Sequence, residues 1–201
     1  PDKLWEYGLL SQNPNITWDI ICDNSDKPWN IFAYSLSKNP NITWDIVQDN
    51  RDIDWHYEHL SSNPNITWDI VKANPECAWN YSILSKNPNM TWDIVEENPS
   101  YPWDYDNLSK NLNITWDIVE SNPDKQWNYL HLGYNPNITW DIIEANPDKP
   151  WSYKDYSSNP NITWEIIDQN PDKQWDYHSL SFNPMSKHKF FQDNQLHYIL
   201  K

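Results

Sequence analysis

Tryptophan is the feature that most restricts this chain. Fifteen of them lie in its 201 residues, at positions 5, 18, 29, 44, 55, 68, 79, 92, 103, 116, 127, 140, 151, 164 and 175, so that gaps of 13 and 11 alternate and sum to 24. One gap departs, the 15 between Trp29 and Trp44, and a two-residue insertion around Ile31-Phe32 accounts for it. A beat held along nearly the whole chain is the mark of a repeat array in which each unit covers its neighbour.

Two half-motifs alternate. The first reads Asn-Pro-Asn-Ile-Thr-Trp-Asp-Ile-Ile/Val, as at 135–143; the second reads Asn-Pro-Asp-Lys-x-Trp-x-Tyr-x-x-Leu-Ser, as at 122–133, where Gly133 stands for the Ser. Their shared frame points to diverged copies of one short element. Each half predicts a short helix, with the Asn or Asp after Pro as N-cap and Trp at the third helical position. Pro28, Pro102 and Pro150 would then fall in the first turn, where Pro costs little. The next Asn-Pro ends the element, because the residue before Pro resists the α region. About eight helical residues remain, roughly two turns, which need stacked neighbours. In the second half, Tyr at Trp+2 and Leu at Trp+5 share a face.

The expected fold is therefore an all-α solenoid of 24-residue repeats, each of two short helices, over residues 1–182, with a C-terminal capping helix at 183–201. In that cap His188 takes the Trp position, and Phe190, Phe191, Leu196, Tyr198 and Ile199 supply apolar contacts. The chain opens at Pro1-Asp2-Lys3, partway through a repeat, and reads as a fragment or processed product. The rival is a β-solenoid, since Ile-Thr-Trp-Asp-Ile alternates apolar and polar residues. Against it stand only two glycines, Gly8 and Gly133.

Only 38% of the residues are hydrophobic and the mean hydropathy is −0.92. The aromatic rings answer the suspicion of disorder that this raises: a buried Trp removes roughly 150–250 Å² from water, about 4–6 kcal/mol before entropy costs. The expected core is Trp18, Trp44, Trp68, Trp92, Trp116, Trp140 and Trp164 of the first half with Trp55, Trp79, Trp103, Trp127 and Trp151 of the second. A net charge of −15 argues against nucleic acid and favours a basic protein partner. No signal peptide and no apolar run near membrane length is read. Cys22 and Cys77 stand more than two repeats apart, are expected unpaired, and suggest a reducing compartment.

Columns of the repeat carry further expectations. Asn opens every half, and persists where Ser25, Arg51 and Leu112 replace the Pro, which suggests an Asn ladder bonding turn backbones between repeats. The acidic column Asp19, Asp45, Asp69, Asp93, Asp117, Asp141 and Glu165 is expected to face helix N-termini or the lysine column Lys3, Lys27, Lys125, Lys149 and Lys173. Seven Asn-Ile/Met-Thr sequons, from Asn15 to Asn161, fall on the same turn and read as structural first and glycosylation acceptors second. His56 and His59, three apart, share a helix face but make too few ligands for zinc. No phosphate loop, catalytic carboxylate pair or nucleophile motif is read, so neither an enzyme, a metal nor a cofactor is expected.

The motifs Asn-Pro-Asp-Lys-Pro-Trp at 146–151 and Asn-Pro-Asn-Ile-Thr-Trp-Asp-Ile at 135–142 resemble the Trp-rich tandem repeats of proteins from amoeba-infecting giant viruses. The resemblance runs from residue 1 to about 184, departing at the insertion near Trp29, at Met90 for Ile and at Leu112 for Pro. It implies a viral protein in host cytoplasm or virion, and carries no functional residues. The expected function is a non-catalytic scaffold for protein interaction or assembly, engaged through variable positions such as His56, Glu58 and His59 in the second half and Glu144 and Ala145 in the first. The alternatives are carbohydrate binding on aromatic columns and, ranked lower, nucleic-acid mimicry by the acidic ones.

Overall fold

A computed structural model describes residues 5–29, 33–183 and 185. Among them the chain is an all-α repeat solenoid of fifteen short helices, with no strand, so the β alternative falls. The second halves give α1 (Tyr7–Leu10), α3 (Ala33–Leu36), α5 (Tyr57–Leu60), α7 (Tyr81–Leu84), α9 (Tyr105–Leu108), α11 (Tyr129–Tyr134), α13 (Tyr153–Tyr156) and α15 (Tyr177–Phe182). The first halves give α2 (Trp18–Asp23), α4 (Trp44–Asp49), α6 (Trp68–Ala73), α8 (Trp92–Glu97), α10 (Trp116–Ser121), α12 (Trp140–Ala145) and α14 (Trp164–Gln169). The contacts divide the chain into two compact units, Pro1–Asp104 and Tyr105–Lys201. The expected cap, apart from Asn183 and Met185, lies outside the described residues, as do the insertion at Ile31-Phe32 and Lys3.

The helices are shorter than expected and start later, for a local reason. In the first half the Asn side chain competes with the helix for the backbone. Asn63 Oδ1 accepts from the Asn65 N–H at 2.9 Å, and the Ile66 N–H donates to the Asn63 carbonyl at 3.1 Å. Asn-Pro-Asn-Ile thus closes as a turn of its own. The N-cap is Thr, not Asn: Thr17, Thr43, Thr67 and Thr163 each accept at 3.4 Å from the N–H three residues on. In the second half a turn closes from the Lys125 N–H to the Asn122 carbonyl at 3.2 Å, and a tighter one from the Trp127 N–H to the Lys125 carbonyl at 2.9 Å. Asn128 is then extended and caps α11 by accepting from the His131 N–H at 3.1 Å. Pro102 and Pro150 therefore stand in a non-helical segment two residues before the N-cap position, and Pro28 stands in a non-helical segment ahead of α3, none of them in a first helical turn.

The innermost core is aliphatic, where the sequence reading put indole. Leu60, Leu84, Leu108 and Leu132 from the second half, and Ile66, Met90, Ile114 and Ile138 from the first, are 0% exposed. The Trp columns flank this core. Trp29, Trp55, Trp68, Trp79, Trp92, Trp116, Trp127 and Trp175 are buried, and Trp18, Trp44, Trp103, Trp140 and Trp151 are half-buried. Trp164, expected in the core, is 42% exposed. In its column a first-half ring meets a second-half ring 35 residues on, as Trp44 meets Trp79 at 5.6 Å and Trp140 meets Trp175 at 5.7 Å, or 37 on across the insertion, where Trp18 meets Trp55 at 6.3 Å. For Trp164 that position is 199, outside the described residues.

The second-half Trp is held in three ways. Its Nε1–H donates to the carbonyl of the Asn five residues earlier, at 2.8–2.9 Å in all seven cases from Trp29 to Trp175. Its ring meets the preceding repeat's Tyr edge-on, as in Tyr57–Trp79 at 5.5 Å and Tyr129–Trp151 at 5.0 Å. The first-half Trp packs on it as just described. Offset and edge-on aromatic pairs of this kind add about 0.5–1.5 kcal/mol beyond area burial.

The 15 opening asparagines do two different things. Those of the first half form the expected ladder. Asn39 Nδ2 donates to the carbonyls of Ser11 at 2.9 Å and Ile16 at 3.0 Å. Asn63 repeats this on Asn39 at 2.9 Å, Asn87 on Asn63 at 3.0 Å, and Asn159 on Asn135 at 3.0 Å. The second-half asparagines do not reach the next repeat. They are helix C-caps, and from Asn24 to Asn170 each donates back to the carbonyl four residues earlier at 2.8–2.9 Å.

Serine forms a second ladder that the sequence reading did not assign. Ser61 Oγ donates to its own helix at the Tyr57 carbonyl (2.7 Å) and accepts from the Asn80 N–H of the next repeat (3.0 Å). Ser85 does the same with Tyr81 and Asp104, Ser109 with Tyr105 and Asn128, and Ser157 with Tyr153 and Asp176. All four hydroxyls belong to fully buried residues, so each must find both partners or carry a desolvation cost.

Candidate interaction surface

With the Asn, Ser, Leu, Ile and most Trp columns consumed by the stack, the surface is left to the acidic column and to positions that vary between repeats. His56 is exposed at the N-cap of α5, Glu58 is exposed in its first turn, and His59 is half-buried. The two imidazoles stack at 5.6 Å, and the Tyr34 ring stands edge-on to both, at 5.6 Å from His56 and 4.0 Å from His59. Burial holds the His59 imidazole below its usual value, with Lys38 adding to that effect and Glu58 opposing it. Glu144 and Ala145 are exposed in the last turn of α12, in the second unit.

The histidine face borders a feature that spacing alone did not reveal. Residues 54–58 and 78–82, closed by Pro102, line an open groove of about 730 Å³ in the first unit. Its aromatic lining is the buried Trp55 and Trp79 with the half-buried Tyr57 and Tyr81. Asp54, His56 and Glu58 stand exposed around it, and Asn80 and Ser82 are half-buried. Position Trp−1, occupied by Asp54, varies as much as the columns singled out from the sequence: Pro28, Asp54, Ala78, Pro102, Gln126, Pro150 and Gln174. That variation was the available signal.

Other variable positions pair across repeats. Ser82 Oγ donates to Asp104 at 2.5 Å. Asn128 Nδ2 donates to Asp106, whose Oδ1 also lies 2.9 Å from His131 Nδ1. Partial burial raises the Asp106 carboxyl, but the hydrogen bonds from Asn128 and Lys110 and the charge of His131 outweigh it and hold the group below the usual carboxylate value. The Tyr134 hydroxyl donates to Asp155 at 2.5 Å and is pushed up to about 12.

The acidic column is exposed throughout, at Asp19, Asp45, Asp69, Asp93, Asp117, Asp141 and Glu165. The expected lysine column does not face it. Lys27, Lys125, Lys149 and Lys173 each pair with the Asp just before them in their own turn, at 2.6–3.3 Å. Asp69 instead meets Lys72 at 3.3 Å on its own helix.

The sequon asparagines have structural employment. Asn41 Nδ2 donates to the carbonyls of Pro14 at 2.6 Å and Ile16 at 3.1 Å, and Asn65, Asn89, Asn137 and Asn161 repeat the pattern. A glycan on that nitrogen would displace a bond between repeats. Cys22 and Cys77 are free thiols. Burial pushes the Cys77 thiol up and Tyr57 hydrogen-bonds to it; burial and that same bond push Tyr57 up to about 12. Among the described residues no three His, Cys, Asp or Glu are grouped to hold a metal, and no helix is long and apolar enough to cross a membrane.

Comparison with family models, with curated proteins and with solved structures finds no match to this chain.

Proposed function

We propose that the chain is a non-catalytic scaffold whose exposed, variable positions bind a basic protein partner. One observation carries the reading. The Asn, Ser, Leu and Ile columns are spent on holding repeats together, while one recurring column of seven carboxylates stays exposed beside the variable positions and the net charge is −15. Such a surface steers cationic partners toward it and repels polyanions. The resemblance to giant-virus repeat proteins supports looking for that partner in an infected host cell or in the virion. Burial of most indole rings counts against a sugar platform.

The test is affinity capture from infected amoebae at graded salt. The bait is compared with a variant carrying Asp→Asn at Asp19, Asp45, Asp69, Asp93, Asp117 and Asp141. The reading expects basic proteins that the parent retains at low salt, that elute as salt rises, and that the variant releases at lower salt than the parent. Recovery of no protein at any salt, or equal recovery by both baits, contradicts it.

A further inference from the structure

We infer that the groove over residues 54–58 and 78–82 is the docking site for an extended, arginine- or lysine-bearing segment of the partner. The inference rests on the scaffold reading and gives it an address. Three observations converge on this place. The groove has the volume of a binding cleft, about 730 Å³, within the range of ligand sites. Its aromatic lining offers the half-buried rings of Tyr57 and Tyr81, against which a guanidinium or ammonium group packs favourably. Its edge carries the exposed carboxylates of Asp54 and Glu58, which complement a cation and reject an anion.

The same place in the second unit lacks this chemistry. Three repeats on, the positions of Asp54, His56 and Glu58 are held by Gln126, Asn128 and Leu130, and those of Ala78, Asn80 and Ser82 by Pro150, Ser152 and Lys154. The backbone frame recurs and the carboxylates do not. Asp106, at the Glu58 position two repeats on, is engaged by Asn128, Lys110 and His131, which leaves the groove as the preferred location for a cationic segment.

The probe is fluorescein-labelled octa-arginine, titrated with the full chain at about 50 mM salt, where screening is weak, and read by anisotropy. Three proteins are compared: the parent, Asp54→Asn/Glu58→Gln, and Asp19→Asn/Asp45→Asn. The two double variants remove the same charge from exposed sites of the same unit, and thermal melts verify that both fold. The groove variant is expected to bind about tenfold more weakly and the control less than about twofold, since paired charges act locally and screened ones little. Glu58→Lys alone should weaken binding by at least as much as the groove pair. Equal weakening by both double variants overturns the groove while leaving a basic partner in place. Failure of the parent to bind the probe overturns both. Binding of cellohexaose that octa-arginine does not compete away, with no peptide binding, would assign the groove to sugar instead.

Discussion

Two places in the solenoid carry the same frame with different residues. In the first unit Ser61 closes α5, and Leu84, 23 residues on, is 0% exposed. In the second unit Gly133 and Tyr156 occupy those two positions. Ser61 gives the next repeat an acceptor for the Asn80 N–H at 3.0 Å; Gly133 offers the corresponding Ser152 N–H no hydroxyl. Leu84 fills its site with hydrocarbon, whereas Tyr156 fills it at 1% exposure with a hydroxyl that finds no hydrogen-bond partner among the described residues, and burial pushes that phenol far above its usual value. The Asn ladder passes through both places unchanged: Asn159 Nδ2 reaches the Gly133 carbonyl at 2.8 Å as Asn87 reaches that of Ser61 at 2.9 Å. Backbone carbonyls tolerate substitution, side-chain ladders do not, and the second place keeps only the first kind.

The comparison can be broken at the ladder itself. Asn63→Asp and Asn159→Asp keep the acceptor for the local turn but replace the buried donor with a carboxylate facing carbonyls. Each is expected to cost about 3 kcal/mol in chemical denaturation, and to a similar extent in both regions. A much smaller loss at Asn159 alone would mean that the second region is not stitched in the same way.

The core site sharpens the contrast. Tyr156→Phe removes an unsatisfied buried hydroxyl and should raise stability by about 1–3 kcal/mol. Leu84→Tyr imports that defect, with overpacking, and should lower stability by about 1–3 kcal/mol. The serine ladder gives a smaller pair of effects. A Cβ at Gly133 would meet its nearest neighbour, the Tyr156 nitrogen, at 3.6 Å, an ordinary contact. Gly133→Ser is therefore expected to stabilise by about 1 kcal/mol and Ser61→Gly to destabilise by about the same. Because Gly133 and Tyr156 touch, the double variant Gly133→Ser/Tyr156→Phe should depart from additivity by at least about 0.5 kcal/mol.

The smallest effect is on alkaline stability. Tyr57 and Tyr134 have folded values raised to about 12, above the unfolded value near 10. The stability they contribute is complete below pH ~10 and is lost as pH rises through about 12. Absorbance titration of the phenolates should show a delayed class, and Tyr57→Phe and Tyr134→Phe should each shrink it.

Much of this was legible in the sequence because the repeat amplifies weak signals. The 24-residue period, helices instead of strands, and the Asn ladder were all readable from columns. Helix starts were not, because Asn63 and Asn65 look like caps and the turn they make is decided by which backbone N–H their neighbours offer. The sequence made Trp the most conspicuous residue, yet Leu60 and Ile66 lie deeper: the second-half indoles keep their N–H on a carbonyl, as Trp55 does with Asn50 at 2.9 Å, and so stay at the flank, whereas the Trp68 N–H is buried with no acceptor among the described residues. The groove needed coordinates because it joins Asp54 and Glu58 to residues one repeat away.

Hydrogen exchange of the asparagine side-chain amides, followed by NMR, tests most directly the claim that buried carboxamides stitch the repeats. The NH₂ groups of Asn39, Asn63, Asn87, Asn135 and Asn159 should exchange only when the chain unfolds, while those of the C-cap residues Asn50, Asn74, Asn146 and Asn170 exchange through local fraying. Rapid exchange at both sets, in a chain still folded by circular dichroism, would contradict the account.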